Sequence, residues 1–260
     1  MSDDALEILY RNDGIVAINK PHGLLVHRSD IDRHETRFAL QLLRDQLNMK
    51  VYPLHRLDKP TSGVLLFALE PELARRMMNQ FESGSIQKTY LALVRGYCDA
   101  QGDIDYALKE ETDRMTDSRA RRDKSAQDAF THYRCLRRTE LPIAVGRYPT
   151  ARYSLLEVCP RTGRKHQIRR HMKHIFHPIV GDTTHGDGKH NRMLREHFGL
   201  NRLMLHAWRM QLTHPQTGED LVISAKPDIG FSQMLDSLGC TNHSFASTDD
   251  QPILDANHAY

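Results

Sequence analysis

His55-Arg56-Leu57-Asp58-Lys59-Pro60-Thr61-Ser62-Gly63 runs straight into Val64-Leu65-Leu66-Phe67-Ala68-Leu69. Seven consecutive apolar or small residues, 63–69, read as a strand buried on both faces. A carboxylate set among His, Arg, Lys, Thr and Ser at the mouth of such a strand is held where a substrate can reach it, because loops on a rigid sheet carry most chemistry. Arg56 and Lys59 favour the ionised form of Asp58. The plainer reading is a turn-capping Asp paired with an Arg, and for an isolated loop Asp that reading carries the greater weight.

Outward from this stretch, Pro71 suits a helix first turn, and Leu73, Met77 and Phe81 make an i+4 stripe that stops at Gly84. Upstream, Leu6–Tyr10 and Ile15–Asn19 flank Asp13-Gly14, a hairpin signal in which Gly is expected to supply a positive φ. Thr36 to Asn48 has helical periodicity. Lys88–Val94 and Tyr153–Val158 alternate as strands, Arg161-Thr162-Gly163 opens a helix expected to reach Ile175, and Leu203–Ala207 and Leu221–Ala225 supply late strands. Tight turns and helices link the strands without βαβ regularity. The pattern predicts an α+β domain with a mixed, largely antiparallel sheet and flanking helices. Residues 114–124 read as a polar loop and 241–260 as a flexible tail after a domain spanning 1–240.

The 260 residues suffice for one substantial core around a cleft. With 39% apolar and 27% charged residues the composition is that of a soluble globular protein. No apolar run approaches the roughly 18 residues that span a bilayer, and the acidic N-terminus does not read as a signal peptide. A cytoplasmic protein without membrane contact is expected. Cys98, Cys135, Cys159 and Cys240 are scattered, which suits reduced thiols.

The net charge of +3 says little, but its distribution says more. Between Glu157 and Asp182 there is no acid, while Arg161, Arg164, Lys165, Arg169, Arg170 and Lys173 crowd the interval. Such a stripe is the footprint of a phosphate-backbone binder. On a helix Lys165, Arg169 and Lys173 share one i+4 stripe, from which Arg169 can reach Asp58. In Lys88-Thr89-Tyr90, the ring of Tyr90 offers a flat face to a base, although aromatics at alternate strand positions are more often core. His166, His171, His174 and His177 are spaced by five, three and three among cations, so no metal site is expected. Dinucleotide, P-loop and serine-nucleophile motifs are missing, and no cofactor is expected.

Taken in order, these segments resemble the RluA family of pseudouridine synthases. HRLDKPTSG fits that family's HRLDxxTSG pattern, NKPHGLLVH at 19–27 its NKPxGxxVH signature, Lys88-Thr89-Tyr90 its KxY element, and RTGRKHQIRRH at 161–171 its TGRxHQ[IL]RxH element. His177–Asp182 (HPIVGD) and Leu205-His206-Ala207 match further landmarks. The resemblance spans about Leu6 to Ala225. It implies the pseudouridine-synthase catalytic fold with two lobes about a central RNA-binding cleft, and an isomerase that needs no cofactor or metal. By motif position it implies Asp58 as the catalytic carboxylate, Tyr90 stacking on uracil with a share in proton removal, Arg169 paired with Asp58, and Arg56 filling the gap left by an extruded base or helping to eject it. RNA contacts are expected from Lys20, His55, Arg56, Arg161, Arg164, Lys165, Arg170 and Lys173.

LVHRSDIDRHE, GRYPTARY, HPIVGDTTHGDGKHNR and HFGLNRLMLHA are similar to the branch of the family acting on tRNA, which implies uridine 65 as the target, with ribosomal RNA or another tRNA position as the alternative. The chain begins at the catalytic domain, without the S4 module of some relatives, so recognition is expected from that domain, acting as a monomer. A different class stays open: an RNA-binding protein on a synthase-like scaffold without activity. A hydrolase using Asp58 is disfavoured because no second acid accompanies it.

Overall fold

A computed structural model of the chain describes residues 5–28, 34–110 and 125–240, so the expected 114–124 loop and 241–260 tail lie outside the described residues. In chain order the elements are β1 (Glu7–Arg11), β2 (Ile15–Lys20), α1 (Ala39–Leu47), β3 (Tyr52–Pro53), β4 (Ser62–Ala68), α2 (Pro71–Ser83), β5 (Gln87–Arg95), β6 (Gln101–Asp105), β7 (Phe130–Leu141), β8 (Ala151–Pro160), α3 (Gln167–His174), α4 (Gly188–Phe198), β9 (Leu205–Thr213), β10 (Asp220–Ser224) and α5 (Ile229–Ser237). Ten strands form one mixed, largely antiparallel sheet in the order β1-β2-β4-β9-β5-β8-β7-β6, with β3 on β4 and β10 on β9.

The sheet joins two halves at β4 and β9, a short parallel pairing of Ser62 with His206 and Gly63 with Ala207. Gly63 has φ +113°, and a Cβ there would fall 2.1 Å from the Ala207 carbonyl oxygen. Only glycine permits this junction. On one side, β2 and β4 are buried on both faces: Ala17, Val64 and Leu66 pack with Met77 of α2, while Ile18, Leu65 and Phe67 pack with Leu43 of α1. On the other side Leu91, Leu93 and Tyr153 meet α4 and α5, and Val94, Leu156 and Val158 meet Ile168 and Met172 of α3. Half-buried Tyr90 packs against a cluster from each half, which places it at their seam.

Three expectations need correction. Gly14 does not take a positive φ; its turn is closed by Asn12, whose Oδ1 accepts the Gly14 and Ile15 N–H groups, and a Cβ at Gly14 would press on the side chains of Leu73 and Gln216, at 2.6 and 2.7 Å. Helix α3 starts at Gln167 rather than at Arg161–Gly163, because His166 sits in the left-handed region at φ 54°. The preceding turn is therefore out of phase with the helix, and Lys165 does not continue the Arg169–Lys173 stripe. Strands β6 and β7 and helices α4 and α5 stand where sequence periodicity gave no element. The outward-facing Arg134–Glu140 half of β7 masks its alternation.

Candidate active site

The turn after Leu57 closes with the Thr61 N–H on the Asp58 carbonyl at 2.9 Å, just before the glycine-dependent junction. Asp58 thus leaves the sheet at the seam, with its side chain 21% exposed. Arg169, on the first turn of α3, is 4% exposed and donates from Nη1 to Asp58 Oδ2 at 3.3 Å. Its other edge is engaged: Nε and Nη2 donate to the two oxygens of Asp182 at 2.7 and 2.9 Å. A bidentate pair fixes the guanidinium plane, so the remaining donor is aimed at Asp58.

Asp182 is buried and also accepts the Thr184 and His185 N–H groups at 2.9 Å each. Burial alone would raise its pKa, but Arg169 and these backbone donors outweigh burial and hold it below the usual carboxylate range. Burial likewise pulls down on Arg169, and Asp182 and Asp58 together override it upward. The guanidinium beside Asp58 is therefore charged and held in a fixed orientation by Asp182.

The cavity around Asp58 has a volume of about 690 Å³ and is lined also by His55, Arg56, Lys88, Tyr90, Arg161 and Arg164. A register shift between Thr89 and Tyr90 in the β5–β9 ladder re-aims the Tyr90 side chain. Burial, then the charge of Asp58, pushes the Tyr90 phenol upward, so it enters the site as a neutral ring. Burial lowers the Lys88 ammonium.

Gln167 and His171 of the 161–171 segment brace this geometry. Gln167 Oε1 accepts Thr162 Oγ1 and the Arg164 N–H, and Nε2 donates to the Phe130 carbonyl and Thr131 Oγ1. His171 bridges Thr131 Oγ1 and the Tyr106 carbonyl. His166 Nε2 lies 3.8 Å from Asp58, and its Nδ1 is 3.1 Å from Nε2 of His185.

Of the expected RNA contacts, His55, Arg56, Arg161 and Arg164 line the cavity; Lys20, Lys165, Arg170 and Lys173 do not. Lys20 is fully buried and donates to the Pro21, Leu24 and Lys59 carbonyls at 2.8, 2.7 and 3.2 Å, with its pKa lowered by burial to about 7. No RNA can reach it. It clamps the loop that carries Asp58. His55 accepts the Leu66 N–H and packs on Phe81, and burial, then Lys88, holds its pKa at about 3. It faces the cavity as a neutral ring. Asp182 escaped the sequence reading as a partner for Arg169, although it is the acid that ends the acid-free interval. Lys88 was quoted only as part of a motif. Among the described residues no cluster of three or more His, Cys, Asp or Glu side chains could hold a metal ion, the four cysteines are free thiols, and no helix is long and apolar enough to cross a membrane.

The profile of the RNA pseudouridylate synthase family matches residues 14–174. The chain is 54% identical over 234 residues to tRNA pseudouridine synthase C of Vibrio cholerae, covering 90% of this chain and 96% of that one. It is 56% identical over 223 residues to the protein of that name from Pasteurella multocida, covering 86% and 92%. Among solved structures, human RNA pseudouridylate synthase domain containing 4 superposes with a TM-score of 0.67 at 26% identity, covering 90% of this chain and 93% of that one. With a mixed sheet of the same architecture and a carboxylate at its seam, the chain belongs to the RNA pseudouridylate synthase family and is an RNA-modifying isomerase.

Proposed function

We propose that this enzyme converts one uridine of tRNA, at position 65, into pseudouridine in the cytoplasm, with Asp58 as its catalytic carboxylate. The tRNA target is supported by relatives named tRNA pseudouridine synthase C at 54 and 56% identity. The observation that carries the site assignment is the Asp182–Arg169–Asp58 chain, which ends in a carboxylate exposed to the cavity that Tyr90 also lines.

The reaction breaks the N1–C1′ bond, turns the uracil, joins C5 to C1′, releases the C5 proton and puts a proton on the freed N1. Atoms balance without oxidant or energy source. An ionised Asp58 can add to C1′, stabilise positive charge there, or help remove a ribose proton, and Arg169 keeps it charged in a partly dehydrated site. The target must leave its stack at a cost of a few kcal/mol. Stacking on Tyr90 returns about 1–3 kcal/mol, with Arg56, Lys88, Arg161 and Arg164 available to phosphates or to the vacated gap. The raised phenol pKa weighs against Tyr90 as the base for the C5 proton and in favour of a neutral platform.

Mapping pseudouridine in total RNA from cells with and without this protein tests the reading. The mark at tRNA position 65 should vanish without it. A mark lost from ribosomal RNA or another tRNA position overturns the target, and no lost mark overturns the reading.

A further inference from the structure

The C-terminal end of α3 carries a feature that the catalytic cavity does not use. Phe176 lies just past the helix at φ +65°. The His177 N–H donates to the Met172 carbonyl at 2.8 Å and the Phe176 N–H to that of Lys173 at 3.0 Å. This pair of bonds closes a helix with a left-handed residue, a place where glycine is favoured. Phe176 takes it with its ring 79% exposed, so packing does not repay the strain. The strained turn is fastened: Arg95 Nη2 donates to the Phe176 carbonyl at 3.2 Å, and His177 Nδ1 bonds to the Arg95 carbonyl at 2.8 Å.

Beside the ring opens a groove of about 720 Å³ lined by Lys173, Lys189, Arg192, His185 and Pro178. Among the described residues its one lining carboxylate is Asp187, which is ion-paired with Arg95 and caps α4. The side chains of Lys173, Lys189 and Arg192 have no ion-pair partner among the described residues. The stretch GRYPTARY borders the same place, since a Cβ on Gly146 would stand 3.9 Å from Lys189 Nζ. The groove and the catalytic cavity are divided by the His166–His185 contact, one ring lining each.

We propose that this groove is a second RNA-binding site, in which Phe176 stacks on an unpaired base and Lys173, Lys189 and Arg192 hold the adjoining phosphates. Three unpaired cations around one exposed ring fit a phosphodiester strand with a splayed base; an apolar peptide would require more carbon surface. Lys173 is one helical turn beyond Arg169, about 6 Å along the axis, so a strand whose uridine sits over Asp58 can reach it. The proposal rests on the reading of the chain as an enzyme acting on tRNA.

Binding and steady-state turnover on tRNA, measured at several salt concentrations, test it with Phe176→Ala, the triple variant Lys173→Ala/Lys189→Ala/Arg192→Ala, and Arg75→Ala on exposed α2 as a control. The triple variant should raise KM about tenfold or more, keep kcat, and flatten the log-affinity against log-salt slope by about two to three. Phe176→Ala should weaken binding about tenfold with little change of slope. Arg75→Ala should match wild type. Folded variants with wild-type KM and slope overturn the groove while leaving the enzyme reading intact. A wild-type protein that neither binds nor modifies tRNA overturns both.

Discussion

The two ends of α3 are built by opposite rules. At its N-terminal end polar side chains are matched: Gln167 is bonded through both amide atoms and buried Arg169 through three nitrogens. At its C-terminal end Lys173, Lys189 and Arg192 have no ion-pair partner among the described residues and an aromatic residue is left in the open. Both ends force a non-glycine residue into the left-handed region, His166 and Phe176. The contrast separates two tasks. Reaction centres need charges fixed before the substrate arrives, whereas docking to a polyanion works with solvated charges that exchange counterions for phosphates.

The sharpest way to break this division is Asp58→Asn, which removes charge without volume. If the matched end serves chemistry alone, kcat should fall at least about 1000-fold, and RNA affinity and its salt slope should stay near wild type. Tritium release from C5-labelled uridine RNA measures the first, and filter binding the second. Turnover within about tenfold of wild type would remove Asp58 from the mechanism, and a large loss of affinity would show that docking and chemistry are not separate.

Asp182→Asn probes the fixing of Arg169 rather than its partner in the reaction. The new amide sets N–H donors against a guanidinium and leaves a buried charge half-matched, which costs about 3–5 kcal/mol. For a chain of this size that is a fall of Tm by about 10 °C. Freed from its clamp, Arg169 should misplace Asp58 and lower kcat about 100-fold. The pH dependence is the distinguishing signature. Asp182 has its folded pKa below the ordinary value, so its share of stability is present above about pH 4 and is lost as pH falls through the folded value. The Tm gap between wild type and variant should therefore narrow as pH drops from 5 toward 2. A gap constant with pH would mean that the pair contributes by shape, not by charge.

How much of this was legible beforehand depends on the range of the interaction. Strands β2 and β4, helix α2 with its Pro71 start and Gly84 stop, and the α+β class follow from local pattern, and the structure agrees. Asp58, Tyr90 and Arg169 come together in one cavity as the motif resemblance led one to expect. What failed was longer in range or finer in phase. Lys20 reads as one more surface cation until the carbonyls of Pro21, Leu24 and Lys59 are seen to surround it. A single left-handed residue, His166, cuts Lys165 away from the helix stripe. The Gly14 turn is held by Asn12 at ordinary φ and packed under Leu73 and Gln216, contacts that no dipeptide preference contains. Spacing names the residue types, but only the fold says which carboxylate holds Arg169.

The smallest expected effect is also the one that tests the exposed end most directly, because it has the opposite sign. Phe176→Gly should make the protein more stable. A left-handed conformation costs a residue with a Cβ about 1–2 kcal/mol, and glycine avoids that cost while giving back part of it as unfolded-chain entropy. The net gain should be about 0.5–1 kcal/mol, a rise in Tm of about 2 °C. The bonds from His177 to Met172 and from Phe176 to Lys173 are backbone bonds and survive the change, as does the Arg95 contact to the carbonyl at 176. If the ring serves RNA, the same substitution weakens binding about tenfold, so stability and affinity move apart. A variant that loses stability would mean that Phe176 packs in solution and that the strain has a structural cause, and the two ends of α3 would then differ less than their geometry suggests.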